Sequence, residues 1–184
     1  MSTHFIAAVK EELDGAQQIL DIPVHYCGVG KVNAAIGTFE LIRRGAKEII
    51  NLGSCGSIVQ PLGNVFKIGR VFQDIDASPL SPYGETPFED GPHFIDLDPD
   101  SPVTCFTTDY FYDHTQMAKY SPHYLDSIQS RSVFDMELYA IAKVCRRHQV
   151  KCSAFKWVSD DGDFEHWQEN CRGSLQKFIH LFNQ

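Results

Sequence analysis

Acidic side chains lying just beyond apolar, strand-like runs are the residues best suited to chemistry in this chain of 184 residues. WVSDDGD sets Asp160, Asp161 and Asp163 at the end of such a run, with Asp160 nearest to it. A carboxyl group drawn from a buried strand end into a desolvated site has its pKa raised, which suits a general acid. A solvated acidic loop accounts for the same residues, and the spacing is not that of a calcium loop. FDME places Asp135, Met136 and Glu137 ahead of the strongest helical pattern in the chain. Standing alone, those acids complement a helix dipole. AVKEE, with Glu11 and Glu12, follows the first apolar run, and TTDYFY ends a later one. GSCG at Gly53 to Gly56 either lets a ligand approach backbone amides or makes a tight turn. GVGK at Gly28 to Lys31 lacks the spacing of a phosphate-binding glycine loop and reads as a turn capping a strand.

These segments need a scaffold, and the hydropathy pattern supplies one. FIAAV, VHYCGVG and EIINLGSCGS read as strands, the last running into a small-residue loop. KEELDGAQQIL begins a helix, and KVNAAIGTFELIRRG has helical apolar spacing with Gly45 as its C-cap. Strand, helix and strand at this length make a right-handed βαβ unit with a parallel sheet. VFKIGRVFQDID is again strand-like. The following ASPLSPYGETPFEDGPHFIDLDPDSP is a long loop of the kind that is functional or mobile. VTCFTTDYFY is a strand, DMELYAIAKVCRRHQ the clearest helix, KCSAFKWVSDDGD a buried strand, and HWQENCRGSLQKFIHLF a closing amphipathic helix. The alternation predicts a single α/β domain over residues 1–184. Ligands in such folds bind beyond the C-terminal ends of the strands, where AVKEE, NLGSCGS, TTDYFY and WVSDDGD gather.

Composition removes several partners. The net charge of −8 and the lack of any basic cluster beyond Arg146-Arg147-His148 argue against nucleic acid and anionic membranes. That short run suits a helix C-terminus. No apolar stretch is long enough to span a bilayer, and the N-terminus lacks an export pattern, so a cytoplasmic location is expected. The six cysteines form no CxxC pair and read as free thiols. His25, His93, His114 and His123 have no metal-ligand spacing, so neither metal nor cofactor is expected.

Taken together and in order, AAVKEEL, GVGKVNAAIGT, IINLGSCGS, TTDYF, FDMELYAIAKVC and WVSDDGD resemble the purine nucleoside phosphorylase and nucleosidase superfamily. Within it they are most similar to the 5′-methylthioadenosine/S-adenosylhomocysteine nucleosidases. The resemblance implies a three-layer α/β/α fold around a mixed, mostly parallel sheet, a homodimer, and cleavage of a purine nucleoside. It places Glu12 on the carboxylate that activates the attacking water, with Ser54 nearby. Asp160 falls on the acid that serves N7 of the departing purine. Met136 lies along the ribose and Glu137 binds its hydroxyls, Phe111 stacks on the base, and the backbone at Tyr112 reads the base edge. Lys156 stands where the nucleosidases keep an arginine near the water. Two carboxylates suit the chemistry, because glycosidic cleavage leaves positive charge on the sugar and negative charge on the base.

The nucleophile is water or phosphate. The phosphorylases resembling this chain carry an arginine where Asn51 stands and further basic residues near the N-terminus, where this chain supplies Glu11 and Glu12. A carboxylate at a phosphate site repels the dianion, so hydrolysis is the expectation. A phosphate-dependent phosphorylase and a non-catalytic nucleoside-binding subunit are the alternatives. The chain is shorter than a typical nucleosidase, with the proline-rich loop standing in place of a helix and a strand. That departure bears on the 5′-substituent and on the dimer.

Overall fold

The computed structural model describes residues 2–113 and 132–183. Apolar side chains alternating along the first strand, β1 (Thr3–Ala7), set the layers: Ile6 faces one side of the sheet and Phe5 and Ala7 the other. β1 pairs in parallel with β3 (Ile22–Tyr26) and with β4 (Glu48–Gly56). A short β2 (Gln18–Ile19) lies antiparallel on β3 at the edge. β4 pairs in parallel along most of its length with β10 (Lys151–Asp160), and β10 with the antiparallel β5 (Val65–Lys67). At Gly56 the sheet turns onto β9 (Ser132–Asp135). From there it continues in parallel through β8 (Thr104–Thr107) to β6 (Arg70–Gln73), with β7 (Phe94–Asp96) antiparallel on its far edge. The sheet is mixed and mostly parallel, as expected.

Helices cover both faces. α1 (Lys31–Arg43) and α2 (Leu138–Arg147) pack on the Ile6 side, where Ala34, Leu41, Ile49, Ile141 and Cys145 form a core. On the opposite face α4 (Ser174–Phe182) buries Phe178 against Phe5, Leu13, Leu52 and Trp157. Each such large apolar side chain contributes about 1.5–3 kcal/mol through burial. α3 (Phe164–Asn170) follows β10 directly, its first turn capped by the Asp163 carboxylate, which accepts from Glu165 N at 2.8 Å.

Several expectations need correction. KEEL makes only one 3₁₀ turn (Lys10–Leu13), because Asp14 and Gly15 adopt left-handed backbone that ends it. GSCG is the end of β4 rather than a loop. The Asp135–Met136–Glu137 segment is the junction between β9 and α2, which starts only at Leu138. The C-terminal segment forms α3 and α4, separated at Gly173, whose φ is 86°. The long proline-rich loop carries β7. Arg146 and Arg147 close α2, where cations meet the helix dipole.

Candidate active site

The elements converge where β4, β9 and β10 end. β10 places Asp160 opposite Gly56 of β4, β9 ends on Asp135, and the 3₁₀ turn brings Glu12 beneath Gly53. The cavity between them has a volume of about 250 Å³. Glu12, Ser54, Phe111, Tyr112, Met136, Glu137 and Asp160, all expected from the sequence, line it.

Glu12 is almost wholly buried and its carboxylate is fixed from two sides. Oε2 accepts from the amides of Ala8 and Val9 at 3.1 and 3.2 Å. Oε1 accepts from the Ser54 amide and the Ser54 hydroxyl, each at 2.7 Å. The small residues of GSCG make room for this rather than for a turn. A Cβ at Gly53 would sit 3.0 Å from Glu12 Oε1, and one at Gly56 would sit 2.8 Å from Asp160 Oδ1.

Asp160 is 2% exposed. Its Oδ2 accepts from the Ser159 hydroxyl at 2.8 Å and its Oδ1 from Gly162 N at 3.0 Å. Burial raises its pKa, against the opposing pull of those hydrogen bonds. A carboxyl group at a strand end with a raised pKa is what the sequence reading expected of a proton donor.

Glu137 lies across the cavity and accepts from Gly30 N at 2.8 Å, at the head of α1. Gly30 takes a φ of 93°, which a side chain would resist, so the GVGK turn has a role in seating this carboxylate. Burial, reinforced by the neighbouring charges of Asp135 and Glu12, pushes the Glu137 pKa up to about 7, with Lys156 pulling the other way.

Lys156 lies behind the pocket wall rather than in it. It is 1% exposed, and its Nζ is 2.7 Å from Asp135 Oδ2. Burial alone would lower its pKa, but Asp135 and Glu137 overcome this and hold the ammonium above its usual range. Asp135, which the sequence reading assigned only to a helix dipole, is the hub of this layer. It accepts from the Thr107 hydroxyl at 2.7 Å and from Leu138 N at 2.9 Å as well as from Lys156. Thr107 in turn accepts from Tyr139 N, so β8, β9, β10 and α2 are locked together behind the site. A lone buried ion pair costs desolvation, and here further hydrogen bonds satisfy it.

Aromatic rings form the rest of the wall. Tyr112 stacks on Phe134 at 4.2 Å between centroids. Phe111 meets Phe164 and Trp167 of α3 edge-on. Neither Phe164 nor Trp167 was singled out from the sequence, because they lie on a short helix whose approach to β4 no local pattern encodes.

Three-dimensional comparison gives close matches. Futalosine hydrolase of Helicobacter pylori superposes with a TM-score of 0.82 at 19% identity, covering 98% of this chain and 95% of that one. The 5′-methylthioadenosine/S-adenosylhomocysteine nucleosidase of Helicobacter pylori gives 0.81 at 19% identity, over 98% of this chain and 95% of the other. The Neisseria meningitidis nucleosidase gives 0.80 at 19% identity, over 99% and 97%. Residues 99–183 match the sequence model of the phosphorylase superfamily. The chain has the nucleoside phosphorylase fold. No curated protein matches the sequence. In this fold the cavity described above lies at the C-terminal ends of the parallel strands, the usual position for a ligand. Among the described residues, no group of histidine, cysteine and carboxylate side chains is placed to hold a metal ion, and no helix is long and apolar enough to cross a membrane. Of the histidines considered for a metal site, His114 and His123 lie outside the described residues.

Proposed function

We propose that the protein hydrolyses the N-glycosidic bond of a purine nucleoside and releases the free base. One observation carries this reading. Two buried carboxyl groups, Glu12 and Asp160, flank the same stretch of β4 in a cavity whose described lining contains no lysine or arginine. Such a lining suits a cationic sugar and repels a phosphate dianion.

In the proposed reaction Glu12 takes a proton from water as the water oxygen bonds to C1′. The C1′–N bond breaks, its electron pair leaves with the purine, and Asp160 supplies a proton or hydrogen bond at N7. Glu137 grips the ribose hydroxyls, and its charge favours the oxocarbenium-like transition state over the neutral substrate. Met136 packs along the ribose, Phe111 stacks on the base, and the backbone at Tyr112 reads its edge. Lys156 acts from behind the wall by compensating Asp135, so that the cavity does not carry the full repulsion of adjacent carboxylates.

The substrate class is 5′-methylthioadenosine or S-adenosylhomocysteine, with adenine as the base, in a cytoplasmic homodimer. Support for the class comes from the motif resemblance and from relatives of the same fold, one of which is a Helicobacter pylori nucleosidase variant holding 5′-methylthioadenosine in its active site. The test is Asp160→Asn. Turnover should fall by about 10²–10⁴-fold while nucleoside binding survives. Unchanged turnover would remove Asp160 from the mechanism.

A further inference from the structure

The Glu12 carboxylate has about four acceptor positions, and the protein fills them with three backbone amides and one hydroxyl. Among these four donors the Ser54 hydroxyl is the side-chain group, with an oxygen that can also accept from a water beside the carboxylate. The amides are fixed by the backbone, whereas the Ser54 hydroxyl can rotate. Ser54 is therefore the donor whose orientation has to be held.

The Ser54 oxygen is held from its other side. The indole Nε1–H of Trp167 donates to Ser54 Oγ at 3.3 Å. The ring is placed for this by packing: Phe164 stacks on it at 17° and 5.6 Å, and Phe111 meets it edge-on at 6.4 Å. The backbone of α3 braces it from Asp163 to Cys171, with Trp167 N donating to Asp163 O at 3.1 Å and Cys171 N to Trp167 O at 2.7 Å. Both Phe164 and Trp167 line the cavity.

We propose that Trp167 is a positioning residue for the hydrolysis described above, acting through Ser54. Its indole N–H anchors the Ser54 oxygen, so that the hydroxyl keeps donating to Glu12 while its remaining lone pair accepts from the attacking water. The water is thereby held between the Ser54 oxygen and the Glu12 carboxylate. No bond is made or broken by Trp167. This inference rests on the hydrolase reading for its kinetic consequence but not for the hydrogen bond itself.

Two measurements on the full chain test it. Trp167→Phe keeps the ring and removes the N–H. In steady-state hydrolysis of 5′-methylthioadenosine it should lower kcat roughly three- to tenfold, the worth of about one hydrogen bond, with KM within about twofold. Added to Ser54→Ala it should cause no further loss. A Trp167→Phe enzyme with wild-type kcat, or one whose defect multiplies with that of Ser54→Ala, would overturn the proposal. The second measurement needs no turnover. In ¹H–¹⁵N spectra the Trp167 indole N–H signal, assigned by its loss in Trp167→Phe, should move in Ser54→Ala. An unmoved signal would show that the hydrogen bond is absent, whatever the enzyme's activity. A wild-type protein that releases no base while this signal moves would refute the hydrolase reading and the kinetic role of Trp167 together, leaving only the contact.

Discussion

Glu137 concentrates the electrostatic tension of the site, and its titration has a consequence for stability. Its folded pKa, pushed up to about 7 by burial and by the charges of Asp135 and Glu12, lies above the 4.5 of a free glutamate. The folded state therefore holds an extra proton between those values. The contribution of Glu137 to stability is fully present below the unfolded pKa and is lost as pH rises through the folded one. Asp160, also raised by burial, adds a slope of the same sign. The expected loss attributable to Glu137 is on the order of 1–3 kcal/mol between pH 4.5 and 7. Urea midpoints across this range should fall for the wild type, and Glu137→Gln should flatten the profile. An equally steep profile in Glu137→Gln would assign the slope to other groups. The same residue tests the proposed separation of ground-state from transition-state binding: if Glu137 grips the ribose hydroxyls as proposed, its loss should depress kcat more than it raises KM.

At the scale of elements, β4 does most to shape the site, and its last four residues were misread from sequence. GSCG reads as a loop because small residues favour turns, yet Gly53 and Gly56 are strand residues that leave space for two carboxyl groups. Gly56→Ala should therefore displace Asp160, 2.8 Å from the new methyl group, and cut turnover at least tenfold. Circular dichroism should still report a folded chain. Full activity would mean that the Asp160 carboxyl shifts at no catalytic cost. The buried run of β10, by contrast, was legible and located Asp160 correctly, because a continuous apolar strand ending in acids has few other solutions. Asp135 was legible only as a charge before a helix. Its partner Lys156 lies on another strand, and a pairing between distant positions leaves no local periodicity. Trp167 stayed hidden for the same reason. On the α1–α2 side the buried face of α2 was clear from helical spacing. The apolar spacing of α1 at Val32, Ile36 and Phe39, however, falls on its exposed face, and the core takes Ala34 and Leu41 instead. Truncating that core should be costly: Ile141→Ala, at a fully buried position, should lower stability by about 2–5 kcal/mol in denaturant melts.

Over the whole molecule, the alternation of strands and helices predicted an α/β domain and the motif resemblance implied its three layers, and the fold comparison agrees with both. The negative net charge and the cation-free described lining point the same way, toward a small uncharged or cationic ligand rather than a polyanion. The proposed homodimer is tested by light scattering, with twice the 20.8 kDa chain mass as the expected value and a monomer mass as the contrary one. The central claim is water-driven cleavage between Glu12 and Asp160, and one assay tests it most directly. The protein is incubated with 5′-methylthioadenosine in phosphate-free buffer and again with phosphate added, and free adenine and the sugar product are quantified. Equal adenine release in both, with the free sugar as co-product, is the expected result. Release that requires phosphate and yields the sugar 1-phosphate, or binding without any release, would contradict the account.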